Sequence, residues 1–463
     1  MHKMFGKVNK IHFIGIGGIG MSGIAEVLHN LGFEISGSDI SMNKNVKRLK
    51  NLGVKVFIGH NPENVKDVDV VVYSSAIKED NPELISAKDR HIPVIKRGEM
   101  LAELTRLKRS ITVSGSHGKT TTTSMIAHIF IEAKLDPTIV IGGRLNSSGQ
   151  NAVLGKGDYF ICESDESDRS FLLLYPTINV VTNIDLEHLD VYQDLEDIKS
   201  AFIEYCNKIP FYGLNLLCIE NQNVTDIIPS IEKRFQTYGF KKSADIRADN
   251  IIQDGYISTF DVYYFSEKLG RIHLNTPGIH NVLNSLGAIG VAIECGITFD
   301  VIKEALKNFQ GVERRLSIRY KDERRVVIDD YGHHPTEIKA TLQSVRSLYP
   351  DYKIVTIFQP HRYTRTKALL NEFASSFYDT DILIVTDIYA ASEAPIEGVS
   401  SDILVEKIKM QGLKDVYYIA DFDKIFDLEI FNDEKVVFIT LGAGNITELS
   451  YKIADYFRSK ENV

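Results

Sequence analysis

Short apolar runs alternate with longer stretches of helical periodicity along almost the whole chain. The strand-like runs are KIHFIGI, VVVYSSA, SITVSGS, YFICESD, INVVTNI, RRVVIDD, YKIVTIF, DILIVTD and KVVFITLG. Strands buried on both faces read as continuous Val- and Ile-rich segments, so runs of this kind separated by helices predict parallel α/β sheets. Three blocks follow from the pattern: 1–106, closing with the helical GEMLAELTRL; 107–312, from KRSITVSGSHGKTTTT to GVERR; and 313–463. Within the second block, roughly Thr237 to Thr276, DGYISTFDVYYF and GRIHLNT alternate polar and apolar positions, as antiparallel strands do. No internal repeat or low-complexity linker interrupts the blocks.

Composition narrows the class. The 463 residues are 44% hydrophobic and 25% charged, ordinary for globular domains. A net charge of −9 argues against a general nucleic-acid binder, which needs a basic face. The four cysteines, Cys162, Cys206, Cys218 and Cys295, form no C-x-x-C pair and are too sparse for a disulfide framework, so a reducing, cytoplasmic compartment is expected. The N-terminal apolar stretch is broken by glycines and runs into Glu26 and His29, which reads as a strand and a turn instead of an export signal. Membrane insertion is not expected, since the chain has no long uninterrupted apolar run.

The sharpest local signal is ITVSGSHGKTTTTSMIAHIF, a β-branched strand, a glycine turn and a helix. Backbone amides in such a turn cradle phosphate oxygens. Lys119 is placed to meet the β- and γ-phosphates, and the Thr120 hydroxyl to ligate Mg²⁺. The pattern G-x-x-x-x-G-K-[ST] lacks its first glycine, since Val113 stands there. Two further strands end in carboxylates: Glu163, Asp165, Glu166 and Asp168 after one, and Asn183, Asp185, Glu187, His188 and Asp190 after the other. Ligands gather at the carboxyl ends of strands in open α/β sheets, and hard oxygen ligands suit Mg²⁺.

The N-terminal run IHFIGIGGIGMSGIAEVLHNLGFEISGSD fits a dinucleotide-type glycine turn with Gly15, Gly17 and Gly20, and Asp39 at the end of the next strand. Alone it is compatible with a nicotinamide-dependent oxidoreductase. A UDP-sugar satisfies the same site, and a second nucleotide loop in the next block fits hydride transfer poorly.

Together these stretches resemble the Mur ligase family over nearly the whole chain. GIGGIGMSGIAEVL, SGSHGKTTTT, ESDESDRSF, VTNIDLEHLD, PGIHNVLNSLGAI, GVERRL, DDYGHHPTEI, FQPHRYTRT and LGAGNI carry the resemblance, in the family's order. It implies an α/β fold of three domains: Rossmann-like, central phosphate-loop ATPase-like, and Rossmann-like again. It implies a ligase using ATP and Mg²⁺ to join L-alanine to UDP-N-acetylmuramate, as a monomer or homodimer. A branch that attaches a murein tripeptide instead is the nearest alternative. By the resemblance, Gly15, Gly17, Gly18, Gly20, Asp39 and Ser74 belong to the UDP-sugar site. Gly115, Ser116, His117, Gly118, Lys119, Thr120, Thr121 and Asn183 belong to the ATP site. His280, Asn281 and Asn284 reach the adenine, with Arg315 and Asp330 also near the nucleotide. Thr120, Glu163 and His188 hold Mg²⁺. Tyr331, His334, His361, Arg362 and Arg365 surround the acceptor and amino acid. The missing first glycine of the phosphate loop is a family trait. Two departures stand out: Gly332 occupies the place of an expected Ala, and Ala201–Cys206 has no lysine where other branches carry a carbamoylated one.

The implied chemistry converts a carboxylate into an acyl phosphate, which an amine then attacks. One of His334 or His361 is a candidate to accept the amine proton. The Arg side chains of HRYTRT and GVERRL suit carboxylate or phosphate. Exclusion of water by domain closure is expected, because acyl phosphates hydrolyse.

Overall fold

A computed structural model of the chain describes residues 5–74, 76–142, 152–188, 191–391, 393–432 and 435–461. Three sheets carry the architecture, and the class is α/β as expected. By packing, the chain falls into two compact units: Met1–Ile252, Thr259–Thr276 and Asn281–Gly311 in one, and Gln253–Ser258, Pro277–His280 and Val312–Val463 in the other. The first unit contains two sheets because their helices share one apolar core. Met21, Ala25 and Leu101 of the N-terminal region belong to the same buried cluster as Phe160, Phe171 and Phe202 of the next.

The N-terminal sheet is parallel throughout. Its order is Lys55–Ile58, Glu34–Asp39, Lys10–Ile14, Val70–Tyr73, Val94–Lys96, the doubly wound arrangement. The central sheet has ten strands. Arg109–Ser114 lies between Ile178–Val181 and Tyr159–Glu163, parallel to both. At one edge Ile246–Asp254, Ile257–Tyr264 and Glu267–Leu274 follow one another as neighbours. Two-residue connections force them antiparallel, as the alternation predicts.

In the second unit, Arg325–Asp330, Val436–Leu441, Lys353–Phe358, Ile382–Val385 and Val416–Tyr418 form a parallel run. Ser317–Lys321 adds one antiparallel edge strand. Among the described residues, no helix is long and apolar enough to cross a membrane.

Candidate active site

Three strand ends meet around the phosphate loop. Val113 is level with Glu163 on one side, and Ser114 with Val181 on the other, so the loops that follow share one edge of the sheet. The turn itself requires glycine. Gly115 has φ +127°, and a Cβ there would stand 2.2 Å from Thr182 Oγ1. The neighbouring strand end fastens the loop. The Thr182 hydroxyl donates to His117 O at 2.6 Å, Asn183 Oδ1 accepts from the His117 amide at 2.8 Å, and the Asp185 amide donates to Ser116 Oγ at 2.8 Å. Asn183 therefore acts on the loop's backbone. Gly118, φ +81°, opens the helix Lys119–Glu132. The Asn284 carboxamide lies against it, 2.6 Å from where a Cβ would stand. Asn284 also donates to Asn281 Oδ1 at 3.2 Å, so this pair sits against the phosphate loop.

Lys119 Nζ donates to Gly115 O at 2.5 Å and to Glu166 Oε1 at 2.7 Å. Burial alone would favour losing its charge. The carboxylates of Glu166, Asp165 and Glu187 outweigh burial and hold the ammonium well above its ordinary pKa. Glu163 Oε1 accepts from the Gly142 amide at 2.8 Å. Its pKa is raised by burial, against the opposing pull of that amide, Lys119 and the Thr120 hydroxyl. The structure thus brings Thr120, Lys119 and Glu163 together. His188, with φ +56°, places Nε2 3.6 Å from Glu166 Oε1 and 3.6 Å from Glu187 Oε2. The ligand atoms of Glu166, Glu187 and His188 lie within 4.8 Å of one another.

The other acidic residues divide by role. Asp165 pairs with Arg97 at 2.9 Å. Against the cost of partial desolvation, Arg97 and Lys119 pull its carboxyl below the usual range. Asp168 Oδ1 accepts from the Ser170 amide. Asp190 lies outside the described residues. The sequence pattern gave Glu166 and Glu187 no role beyond strand-end acidity, and gave Arg97 none at all. No spacing rule marks which carboxylate of a loop turns inward.

The N-terminal glycine turn is built as expected, with Asp39 as its fastener. Asp39 Oδ2 accepts from the Gly17 amide at 2.8 Å and Oδ1 from the Ser41 amide at 3.1 Å. A Cβ on Gly17 would stand 2.7 Å from Asp39 Oδ2. Gly15 has φ +78° and packs against the Ser74 Cβ. Gly18 precedes the helix Ile19–Asn30, and Gly20 in its first turn faces the Arg97 side chain.

In the second unit, Asp330 ends its strand buried. Its Oδ2 accepts from the Leu316 amide at 2.8 Å and Oδ1 from the Gly332 amide at 2.8 Å, so this carboxylate fixes the backbone around it. A Cβ on Gly332 would stand 2.9 Å from Asp330 Oδ1, which accounts for glycine here. Arg314 and Arg315 lie over the Tyr331 ring at 4.9 and 5.4 Å, and Arg315 also reaches Glu337 at 3.2 Å. His280 is grouped with this unit. Burial, then Arg315, lower its pKa to about 4, so it is neutral. His334 caps the helix Pro335–Leu348, its Nδ1 accepting from the Thr336 amide at 3.3 Å.

His361 stacks on Tyr389 at 5.6 Å, and Arg365 Nη1 stands 3.2 Å from its Nδ1. Burial first, then Arg365 and Arg362, bring its pKa down to about 4. Such an imidazole is a weak proton acceptor near neutrality. Arg362 has φ +70° and a buried Nε with no hydrogen-bond partner.

Three regions match the family in chain order: "Mur ligase family, catalytic domain" at residues 10–109, "Mur ligase middle domain" at 113–292, and "Mur ligase, glutamate ligase domain" at 314–444. A UDP-N-acetylmuramate–L-alanine ligase from Geotalea daltonii is 53% identical over 457 residues, 98% of this chain and 99% of its own length. One of the same name from Trichlorobacter lovleyi is 54% identical over 96% of this chain and 98% of its own. The crystal structure of UDP-N-acetylmuramate–alanine ligase from Thermotoga maritima aligns with a TM-score of 0.83 at 30% identity, covering 97% of this chain and 99% of that one. A murein peptide ligase from Psychrobacter arcticus shares the fold, with a TM-score of 0.73 at 22% identity over 96% of this chain and 98% of its own. The chain belongs to the Mur ligase family.

Proposed function

We propose that the protein joins L-alanine to the lactyl carboxylate of UDP-N-acetylmuramate, using ATP and releasing ADP and phosphate, in cytoplasmic synthesis of peptidoglycan precursors. The observation that carries this reading is the match, over almost the full length of both chains, to relatives of that name at 53% and 54% identity. In this reading residues 1–106 hold the UDP-sugar, 107–312 hold ATP, and 313–463 receive the amino acid and complete the nucleotide site. Attachment of a murein tripeptide is the second reading, and the murein peptide ligase from Psychrobacter arcticus shares 22% identity with this chain.

A carboxylate is a poor electrophile because its leaving group would be oxide. Transfer of the γ-phosphoryl group makes an acyl phosphate with a good leaving group. The phosphate-loop amides and Lys119, kept charged by its carboxylate neighbours, draw off the negative charge that gathers during transfer. The donor set of Thr120, Glu163 and His188, hard oxygens with one imidazole, fits Mg²⁺, which would screen the phosphate oxygens. Arg362 offers its unpartnered Nε–H to the carboxylate of alanine, leaving the amine to attack. Neither histidine is a ready acceptor for the amine proton: His361 is neutral down to about pH 4, and His334 would have to give up the cap its Nδ1 makes to the Thr336 amide.

Phosphate release from ATP and Mg²⁺ with UDP-N-acetylmuramate tests the reading. Release that requires L-alanine supports it. Release only with a murein tripeptide moves the protein to the other branch, and no release with either removes the substrate assignment.

A further inference from the structure

We propose that Glu166 is itself a ligand of the divalent cation, and that its carboxylate bridges the cation to Lys119. This rests on the ATP-and-cation reading above and adds a residue to it. Glu166 is 2% exposed. Its Oε1 takes the Lys119 ammonium at 2.7 Å, while Oε2 is buried and has no hydrogen-bond partner. A buried carboxylate oxygen without a donor is costly, and proteins rarely leave one so unless a ligand completes it. The side chain is not adrift. Its backbone carbonyl accepts from the Tyr192 hydroxyl at 2.6 Å, and Lys119 fixes the first oxygen.

The surroundings fit a cation. His188 Nε2 stands 3.6 Å from Glu166 Oε1, and Glu187 completes a group whose ligand atoms lie within 4.8 Å of one another. Two carboxylates and an imidazole form a hard, anionic donor set. If Glu166 served only to pair Lys119, one oxygen would suffice and the second would be expected to face a donor or solvent. A bridging carboxylate explains both oxygens.

The test is Mn²⁺ binding to the full chain, read from the loss of the free-ion electron paramagnetic resonance signal, with a non-hydrolysable β,γ-methylene ATP analogue present. Binding of a fluorescent ADP in EDTA is measured in parallel. Glu166→Gln keeps the shape and an acceptor for Lys119 but removes the charge. It is expected to weaken Mn²⁺ by about tenfold or more, a larger loss than any it causes in cation-free nucleotide binding. Glu166→Asp, which keeps the charge but withdraws it by one methylene, is expected to fall between Glu166→Gln and the parent, and serves if the Gln variant does not fold. Parent-like Mn²⁺ affinity in either folded variant overturns the proposal while leaving the ligase reading intact. If the parent binds nucleotide but no Mn²⁺, the cation assignment fails, and the proposal fails with it.

Discussion

Glu83 links the interior of the N-terminal sheet to the glycine turn, and its removal has a calculable effect. The side chain is fully buried. Ser38 Oγ donates to Oε2 at 2.5 Å, Asn64 Nδ2 to Oε1 at 2.6 Å and the Asn61 amide to Oε1 at 3.2 Å, with His12 Nε2 3.6 Å and His60 Nδ1 3.3 Å from Oε2. Burial opposes ionisation, but the neighbouring His12 ring and hydrogen bonds from Ser38 and Asn64 outweigh it and bring the carboxyl from 4.5 down to about 2. That preference for the ionised form amounts to ~3 kcal/mol. Because the folded value lies below the unfolded one, the stabilisation is present above about pH 4.5 and is lost as pH falls toward 2. Glu83→Gln should forfeit most of it at pH 7. Hydrogen exchange followed by mass spectrometry reads the loss locally: protection of Lys10–Ile14, Glu34–Asp39 and Pro82–Asp89 should fall by roughly a hundredfold, with Val436–Leu441 unchanged. Ser38 precedes Asp39, which fastens Gly17, so the KM for the UDP-sugar should rise more than that for ATP. Equal protection in parent and variant at pH 7 would refute the argument, because the network would then contribute nothing to holding the sheet.

Lys119→Ala should lower kcat by on the order of 10²-fold or more, since it removes the charge facing the γ-phosphate; near-normal turnover in a phosphate-release assay would take the loop out of the mechanism. Gly115→Ala places a methyl 2.2 Å from Thr182 Oγ1 at φ +127°, so ATP affinity measured by calorimetry should drop by at least about tenfold, and unchanged affinity would contradict the loop geometry. Arg362→Ala should raise the alanine KM far more than the ATP KM, and equal effects would argue against an amino-acid contact. His361→Asn should leave the acid limb of the pH–rate profile near neutrality in place, because His361 titrates near 4; loss of that limb would assign it to His361 after all.

The fold was legible because its signals are local and repeated. Val- and Ile-rich runs flanked by helical periods announce parallel strands, and glycines at Gly15, Gly17, Gly115 and Gly118 mark turns that admit no side chain or require left-handed backbone. The packing between the first two sheets was less legible. Two sheets that read as separate blocks share one buried core, and that packing depends on helix faces meeting across Arg97–Thr105 and Ser170–Leu173, which no single period reveals.

The site divides along the same line. Residues that act through their position in the chain, such as Lys119 after its turn or Glu163 at a strand end, can be placed from sequence, because the strand register fixes where they emerge. Residues on the loop beyond the strand cannot, since a loop carries no period. Asp165, Glu166 and Asp168 look alike in ESDESD, yet one pairs with Arg97, one holds Lys119 with a second oxygen left over, and one accepts from the Ser170 amide. Asp39 and Asp330 make the same point from the other side. Each stands where a ligand-binding carboxylate is expected, and each has both oxygens taken by backbone amides that fix the turn beside it. A carboxylate's place in the chain says which end of the sheet it serves. Whether it holds a ligand or the backbone around the ligand depends on how many of its oxygens the fold has already satisfied. Counting those donors separates Glu166 from Asp39 and Asp330, and so makes Glu166 the carboxylate whose charge removal should be felt first by a cation.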